Sequence, residues 1–216
     1  MRRIVATAVS LFSIAISTVL AAPYAAAAGP AVKAADLGVT GIGRGTSVRT
    51  TTDMKPIPGT DAPNTGLARP GDNVAAICFL RDNNNVVWVL SLNRNGRAGQ
   101  QYPNTAGFIR GDQLTLPDGT VMVSCDYVSQ YQAHPAAGIV QADMKPIPGT
   151  DAPNTGLARA GDTLRVYCTL NDSNNRPWQL MINTNGRAGA QYANTAGFLP
   201  LDATAERPPA QDCGAT

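Results

Sequence analysis

The chain has 216 residues, of which 44% are apolar and 15% charged, the composition of a folded globular protein rather than a disordered one. Its formal charge of +2 falls away on processing, because Arg2 and Arg3 are the charged residues of the first 28 and without them Lys+Arg drops from 17 to 15, equal to the 15 acids. A neutral chain with no basic block lacks the electrostatic footprint that nucleic acid or an anionic membrane surface requires.

Arg2 and Arg3, an apolar run from Ile4 to Leu20 and an alanine-rich exit ending in Ala25 to Ala28 read as a secretory signal peptide over residues 1–28. Ser and Thr inside the run and the small residues after it separate it from a transmembrane anchor. Cleavage fits after Ala22 or after Ala28, and Arg2-Arg3 lacks a strong surrounding motif for twin-arginine export. With no second apolar run downstream, the processed protein is expected to be secreted, soluble and monomeric. Residues 29–43, rich in Ala, Gly and Val, are expected to be mobile.

The segment Asp53 to Arg69 recurs unchanged as Asp143 to Arg159, at an offset of 90 residues. The register then holds without a gap: Gly71-Asp72 matches Gly161-Asp162, Cys78 matches Cys168, Trp88 matches Trp178, and Asn104 to Phe108 matches Asn194 to Phe198. Two domains follow, at 44–127 and 139–216, joined by a linker over 128–138. Period-two patterning within each copy predicts strands. Val74, Ala76, Cys78 and Leu80 are apolar in both copies and are expected to face the core. Trp88 and Trp178 share the apolar phase. The alternate face is Ala75, Ile77, Phe79, Val87 and Val89 in the first copy but Arg165, Tyr167, Thr169, Pro177 and Gln179 in the second. An asymmetric apolar face of this kind calls for a cover, from domain two, from the residues before Arg44 or from a protein partner. Asp82 to Asn85 and Asp172 to Asn175 are turn chemistry, and Asn95-Gly96 and Asn185-Gly186 are hairpin signals.

Four cysteines in an exported chain imply two disulfides. The repeat selects the pairing: Cys78 and Cys168 are equivalent, and Cys125 and Cys213 each follow near the end of a copy, so Cys78 pairs with Cys125 and Cys168 with Cys213. A catalytic thiol or Cys-His metal site would need free cysteines and nearby histidines. His134 is the one histidine and lies in the linker.

Taken together, Val48-Arg49, a Pro/Gly-rich loop, Leu67 followed by Gly71-Asp72, a cysteine-bearing strand, an Asn-rich turn, Trp88, Asn95-Gly96-Arg97, Gly107-Phe108-Ile109 and Leu114 resemble the bacterial SH3-like domain. The second copy repeats the pattern from Ile139 to Leu201, with Gly138-Ile139 in place of the Val-Arg start. Both copies depart from it by an insertion before the final Gly-Phe and by the added cysteines. The resemblance implies an all-β protein with two small, partly open SH3-like barrels in tandem. It also implies a non-catalytic role in binding cell-wall peptide or another peptide.

Identity between the copies is uneven: 17 of the 18 residues from Asp53 to Pro70 are kept, against four of the ten from Gly71 to Leu80. Loops ordinarily drift faster than strands. The fixed loop therefore contacts a ligand, or serves as a rigid structural loop, or reflects a recent duplication. The candidate ligand residues are Lys55, Asp61, Asn64 and Thr65 with their copies Lys145, Asp151, Asn154 and Thr155, and Tyr102 and Asn104 with their copies Tyr192 and Asn194. Charges, amides and a tyrosine between polar groups suit peptide or sugar faces. No metal or cofactor is expected, one carboxylate per Asn-rich turn being thin for Ca²⁺. Neither repeat holds a histidine to serve as a base, so an enzyme is not expected. The resulting expectation is a secreted module that binds cell-wall peptide, peptidoglycan or an extracellular protein. The alternative is a secreted protein-interaction factor, such as a protease inhibitor, acting through the rigid loop from Pro56 to Pro63.

Overall fold

The computed structural model describes residues 43–59, 61–96, 102–128, 131–149, 151–186, 192–205 and 211–213. The expected signal peptide and nearly all of the 29–43 segment lie outside them. The fold is all-β with two disulfides, as expected. In the first copy β1 (Arg44–Val48) leads into a hairpin of β2 (Thr52–Met54) and β3 (Gly66–Ala68). A meander of β4 (Val74–Arg81), β5 (Val87–Asn93) and β6 (Thr105–Arg110) follows, then a 3-10 turn at Gly111–Gln113 and β7 (Leu114–Thr115), which returns to β1. The main sheet has the order β6-β5-β4-β1-β7. It curls over the hairpin into a half-open barrel, closed where Lys55 and Phe108 exchange backbone hydrogen bonds of 2.9 and 2.7 Å.

A one-turn helix α1 (Cys125–Val128) ends the first copy, and β8 (Tyr131–Ala133) opens the second. β8 pairs with β11 (Leu164–Asn171) as β1 pairs with β4. The stretch read from sequence as a linker thus contains the first strand of the second barrel, too short at three residues to show an alternation. The hairpin β9 (Gln141–Met144) and β10 (Gly156–Arg159), then β12 (Pro177–Asn183) and β13 (Thr195–Pro200), repeat the remaining pattern. A bridge between Pro135 and Thr204 stands where β7 meets β1 in the first copy. Buried Asn93 donates to the Leu67 carbonyl at 2.9 Å and to Asp72 at 2.7 Å, and Asn183 does the same with Leu157 and Asp162 at 2.8 and 2.7 Å. These bonds tie each hairpin to its sheet and account for the repeated Gly-Asp.

The two copies lie within one compact unit. A bulge between Ala76 and Cys78, repeated between Val166 and Cys168, switches the faces of β4 and β11 midway. Val74 and Ala76 therefore enter the first barrel's core with Met54, Val89 and Ile109, whereas Cys78 and Leu80 enter a second core shared by both copies. Trp88, Phe108, Trp178 and Phe198 meet in that shared core, with both disulfides. The apolar face of the first copy divides in the same way. Ala75 and Ile77 pack into the shared core, so the second copy covers them, while Phe79, Val87 and Val89 side with the barrel core. β5 and β12 run between the two cores, and all but their first residues are buried.

Cys78 is bonded to Cys125 and Cys168 to Cys213, across 47 and 45 residues. Loops of that length correspond to about 4 kcal/mol each in the chain-entropy account. Such bonds belong to oxidising compartments, and among the described residues no helix is long and apolar enough to cross a membrane.

Candidate functional site

The invariant loop between β2 and β3 is held from within. Lys55 Nζ donates to the Ala62 carbonyl at 2.8 Å and to Asn64 Oδ1 at 2.5 Å, and Lys145 makes the same bonds to Ala152 and Asn154. The Lys55 side chain is largely buried, with Asp53 at 3.6 Å from its ammonium. Thr65 Oγ1 donates within 3.2 Å of the Met54 and Ala106 carbonyls, beneath β6. In the equivalent place Thr155 Oγ1 is buried 2.5 Å from where a side chain on Gly197 would begin, and the Thr155 N–H donates to the Met144 carbonyl at 2.8 Å. Lys55, Asn64 and Thr65, with Lys145, Asn154 and Thr155, therefore brace the loop and line no cleft described below.

The loop also reaches across to the other copy. The Pro56 carbonyl accepts the Ala196 N–H at 2.7 Å, and the Pro146 carbonyl accepts the Ala106 N–H at 2.7 Å. Each contact is the other's image at the 90-residue offset, the reciprocity of an isologous interface. Arg94 adds a 2.9 Å bond to the Cys213 carbonyl, the Tyr167 hydroxyl a 3.1 Å bond to the Cys125 carbonyl, and Arg165 pairs with Asp126. Burial pushes the Tyr167 hydroxyl well above the usual phenol range, so this donor keeps its proton throughout the neutral range.

This crossing creates two equivalent clefts. One, a cavity of ≈ 350 Å³, is walled by Ile57, Pro58, Gly59 and Asp61 and the Asp82 turn of the first copy, and by Tyr192 and Asn194 of the second. The other, of ≈ 380 Å³, joins Tyr102 and Asn104 of the first copy to Ile147, Pro148, Gly149, Asp151 and the Asp172 turn of the second. The predicted residues Asp61, Tyr102 and Asn104, with Asp151, Tyr192 and Asn194, are thus brought together, but always across copies. The tyrosines are 55% and 63% exposed, unusual for so large a ring and the feature that marks these walls. Their carbonyls accept the Thr105 and Thr195 hydroxyls at 2.7 Å, and Asn104 and Asn194 close each turn at φ 62°, a left-handed geometry that asparagine tolerates. Asn95-Gly96 stands at the start of the same connection, with Asn95 Oδ1 accepting the Asn73 N–H at 2.6 Å, and residues 97–101 lie outside the described residues.

The floor of each cleft is fixed by an aspartate. Asp82 accepts the Trp88 indole N–H at 3.0 Å and the N–H groups of Asn84 and Val86 at 2.8 and 2.9 Å. Asp172 accepts the same set from Trp178, Asn174 and Arg176. These donors, the indole foremost for Asp82 and the Arg176 N–H foremost for Asp172, hold both carboxyls below the usual aspartate range. Their oxygens are committed to the turn, which leaves Asn83 and Asn84, or Ser173 and Asn174, facing the cleft. The contribution of these turn residues was not among the sequence expectations. Its signal was the recurrence of an aspartate-led polar tetrad next to a buried tryptophan in both copies.

A comparison with protein-family models matches none of them, and a comparison with curated proteins finds no significant match.

Proposed function

We propose that the chain is a secreted, non-catalytic binding protein that holds cell-wall peptide or peptidoglycan, or another extracellular peptide, in the two composite clefts. The observation that carries this reading is the pair of exposed tyrosines, each set over a carboxylate and amides contributed by the opposite copy. An aromatic face with hydrogen-bonding groups around it suits a polar, extended ligand. Two equivalent clefts on one compact unit gain avidity on a repeating polymer whose ligands reach both. The inhibitor alternative is less well supported, because the Pro56 to Pro63 loop it relies on is spent partly on the junction, with Pro56 buried and its carbonyl bonded to Ala196.

The test is co-sedimentation of the oxidised mature protein with purified cell-wall sacculi. Saturable sedimentation is expected, and Tyr102→Ala with Tyr192→Ala should weaken it by about tenfold per cleft, the equivalent of ~1.4 kcal/mol, without loss of fold. Wild-type protein that stays in the supernatant, or binding that survives both substitutions, contradicts the reading.

A further inference from the structure

The part of the first copy's apolar face that the second copy leaves uncovered forms a separate cavity of ≈ 450 Å³. It opens at the mouth of the first barrel, with Phe79, Val87 and Val89 on one side and Leu114, Leu116 and Met122 on the other. Val89 and Leu114 belong to the barrel core and Phe79, Val87, Leu116 and Met122 pack against it, so the cavity is an outward continuation of that core. Barrel mouths and cavities of this size, apolar with a few polar groups at the edge, are where small molecules bind.

The edge is charged. Arg81 lies with its guanidinium 5.9 Å from the Phe79 ring centre and donates to the Asn85 carbonyl at 3.0 Å. Arg110 sits beside it on the lining, paired with Asp112 at 2.9 Å. Two guanidinium groups against one carboxylate leave the lining with an excess positive charge over an apolar floor. The second copy lacks the apolar floor and the Arg110 position, holding Thr169, Pro177, Gln179 and Pro200 where the first has Phe79, Val87, Val89 and Arg110.

We propose that this cavity binds a small hydrophobic carboxylate, its apolar body against Phe79 and Leu116 and its acid group at Arg81 and Arg110. The site is distinct from the two composite clefts and exists once per chain. Charge complementarity sets the acid at the rim, and the floor sets the alkyl or aryl body.

Decanoate is the probe, titrated calorimetrically into the oxidised mature protein, with decanol and acetate as the uncharged and bodiless controls. Saturable binding of one decanoate per chain is expected, at least tenfold tighter than either control. Phe79→Thr with Val89→Gln installs residues that the second copy already carries at these positions, and should weaken decanoate at least tenfold. Leu116→Gln, at the partly exposed rim, provides a second variant that replaces no fully buried residue and should weaken it several-fold, as should Arg110→Gln. Sacculus sedimentation should be unchanged in all of them, which separates this site from the clefts. Absence of saturable binding, decanol binding as tight as decanoate, or affinity unaffected by Leu116→Gln and Arg110→Gln overturns the proposal.

Discussion

Asp82 and Asp172 each gather three donors on one carboxylate, two from the turn's backbone and one from the tryptophan that anchors the turn to the shared core. Their protonation in the folded protein is therefore resisted, and the linkage has a definite sign. A carboxyl whose pKa is lower folded than unfolded contributes stability that is fully present above the unfolded value, about 3.9, and is lost as pH falls through the folded value. The midpoint of urea unfolding should accordingly hold from pH 7 to pH 5 and fall below pH 4. In Asp82→Asn with Asp172→Asn it should start lower and fall less steeply over the same interval. Equal slopes would show that other carboxyls govern the acid limb. The tetrads were recognisable as turns because Asp and Asn supply their own hydrogen bonds. That the indole completes the set depends on Trp88 sharing a face of β5 with Leu90 and Leu92, toward the shared core, which is a tertiary arrangement.

At the level of elements, strand existence was largely legible and strand phase was not. The alternation in Val74 to Leu80 predicts one buried face, and all four residues are buried, but the bulge sends Val74 and Ala76 to one core and Cys78 and Leu80 to another. A bulge adds no residue type that marks it, so period counting passes over it. The three-residue strand β8 was likewise hidden within a stretch of linker composition. The repeated Gly107 and Gly197 have a clearer cause, because β6 and β13 lie directly on the hairpin beneath. A side chain at Gly107 would begin 2.6 Å from Thr65 Oγ1 and 3.1 Å from both the Lys55 carbonyl and Met54 Cβ. Gly107→Ala should therefore cost roughly 1–3 kcal/mol of overpacking strain, read as a lowered urea midpoint with unchanged slope. A neutral or stabilising alanine would mean that the hairpin yields more readily than the geometry allows. The same close packing explains why the loop keeps its sequence in both copies: Lys55, Asn64, Thr65 and Pro56 are needed for brace and junction before any ligand is considered.

For the whole molecule, the duplication predicted two barrels correctly, yet what joins them was out of reach. Both copies carry the same loop, the same tyrosine and the same asparagine, so a cleft built within one repeat and a cleft built across two read identically in sequence. The distinction lies in the exchange of the Pro56 and Pro146 carbonyls onto Ala196 and Ala106, which is tertiary. Two barrels that bury their tryptophans and disulfides in one shared core form a single structural unit with two equivalent clefts. That arrangement is the central claim, and sacculus-binding capacity in two double variants tests it most directly. Tyr102→Ala with Asp151→Asn alters one cleft twice and should leave the other intact, halving the capacity. Tyr102→Ala with Asp61→Asn alters both clefts once and should weaken all binding, with no unimpaired site remaining. The reverse pattern, half capacity in the second variant and general weakening in the first, would mean that each repeat binds by itself and would contradict the composite clefts.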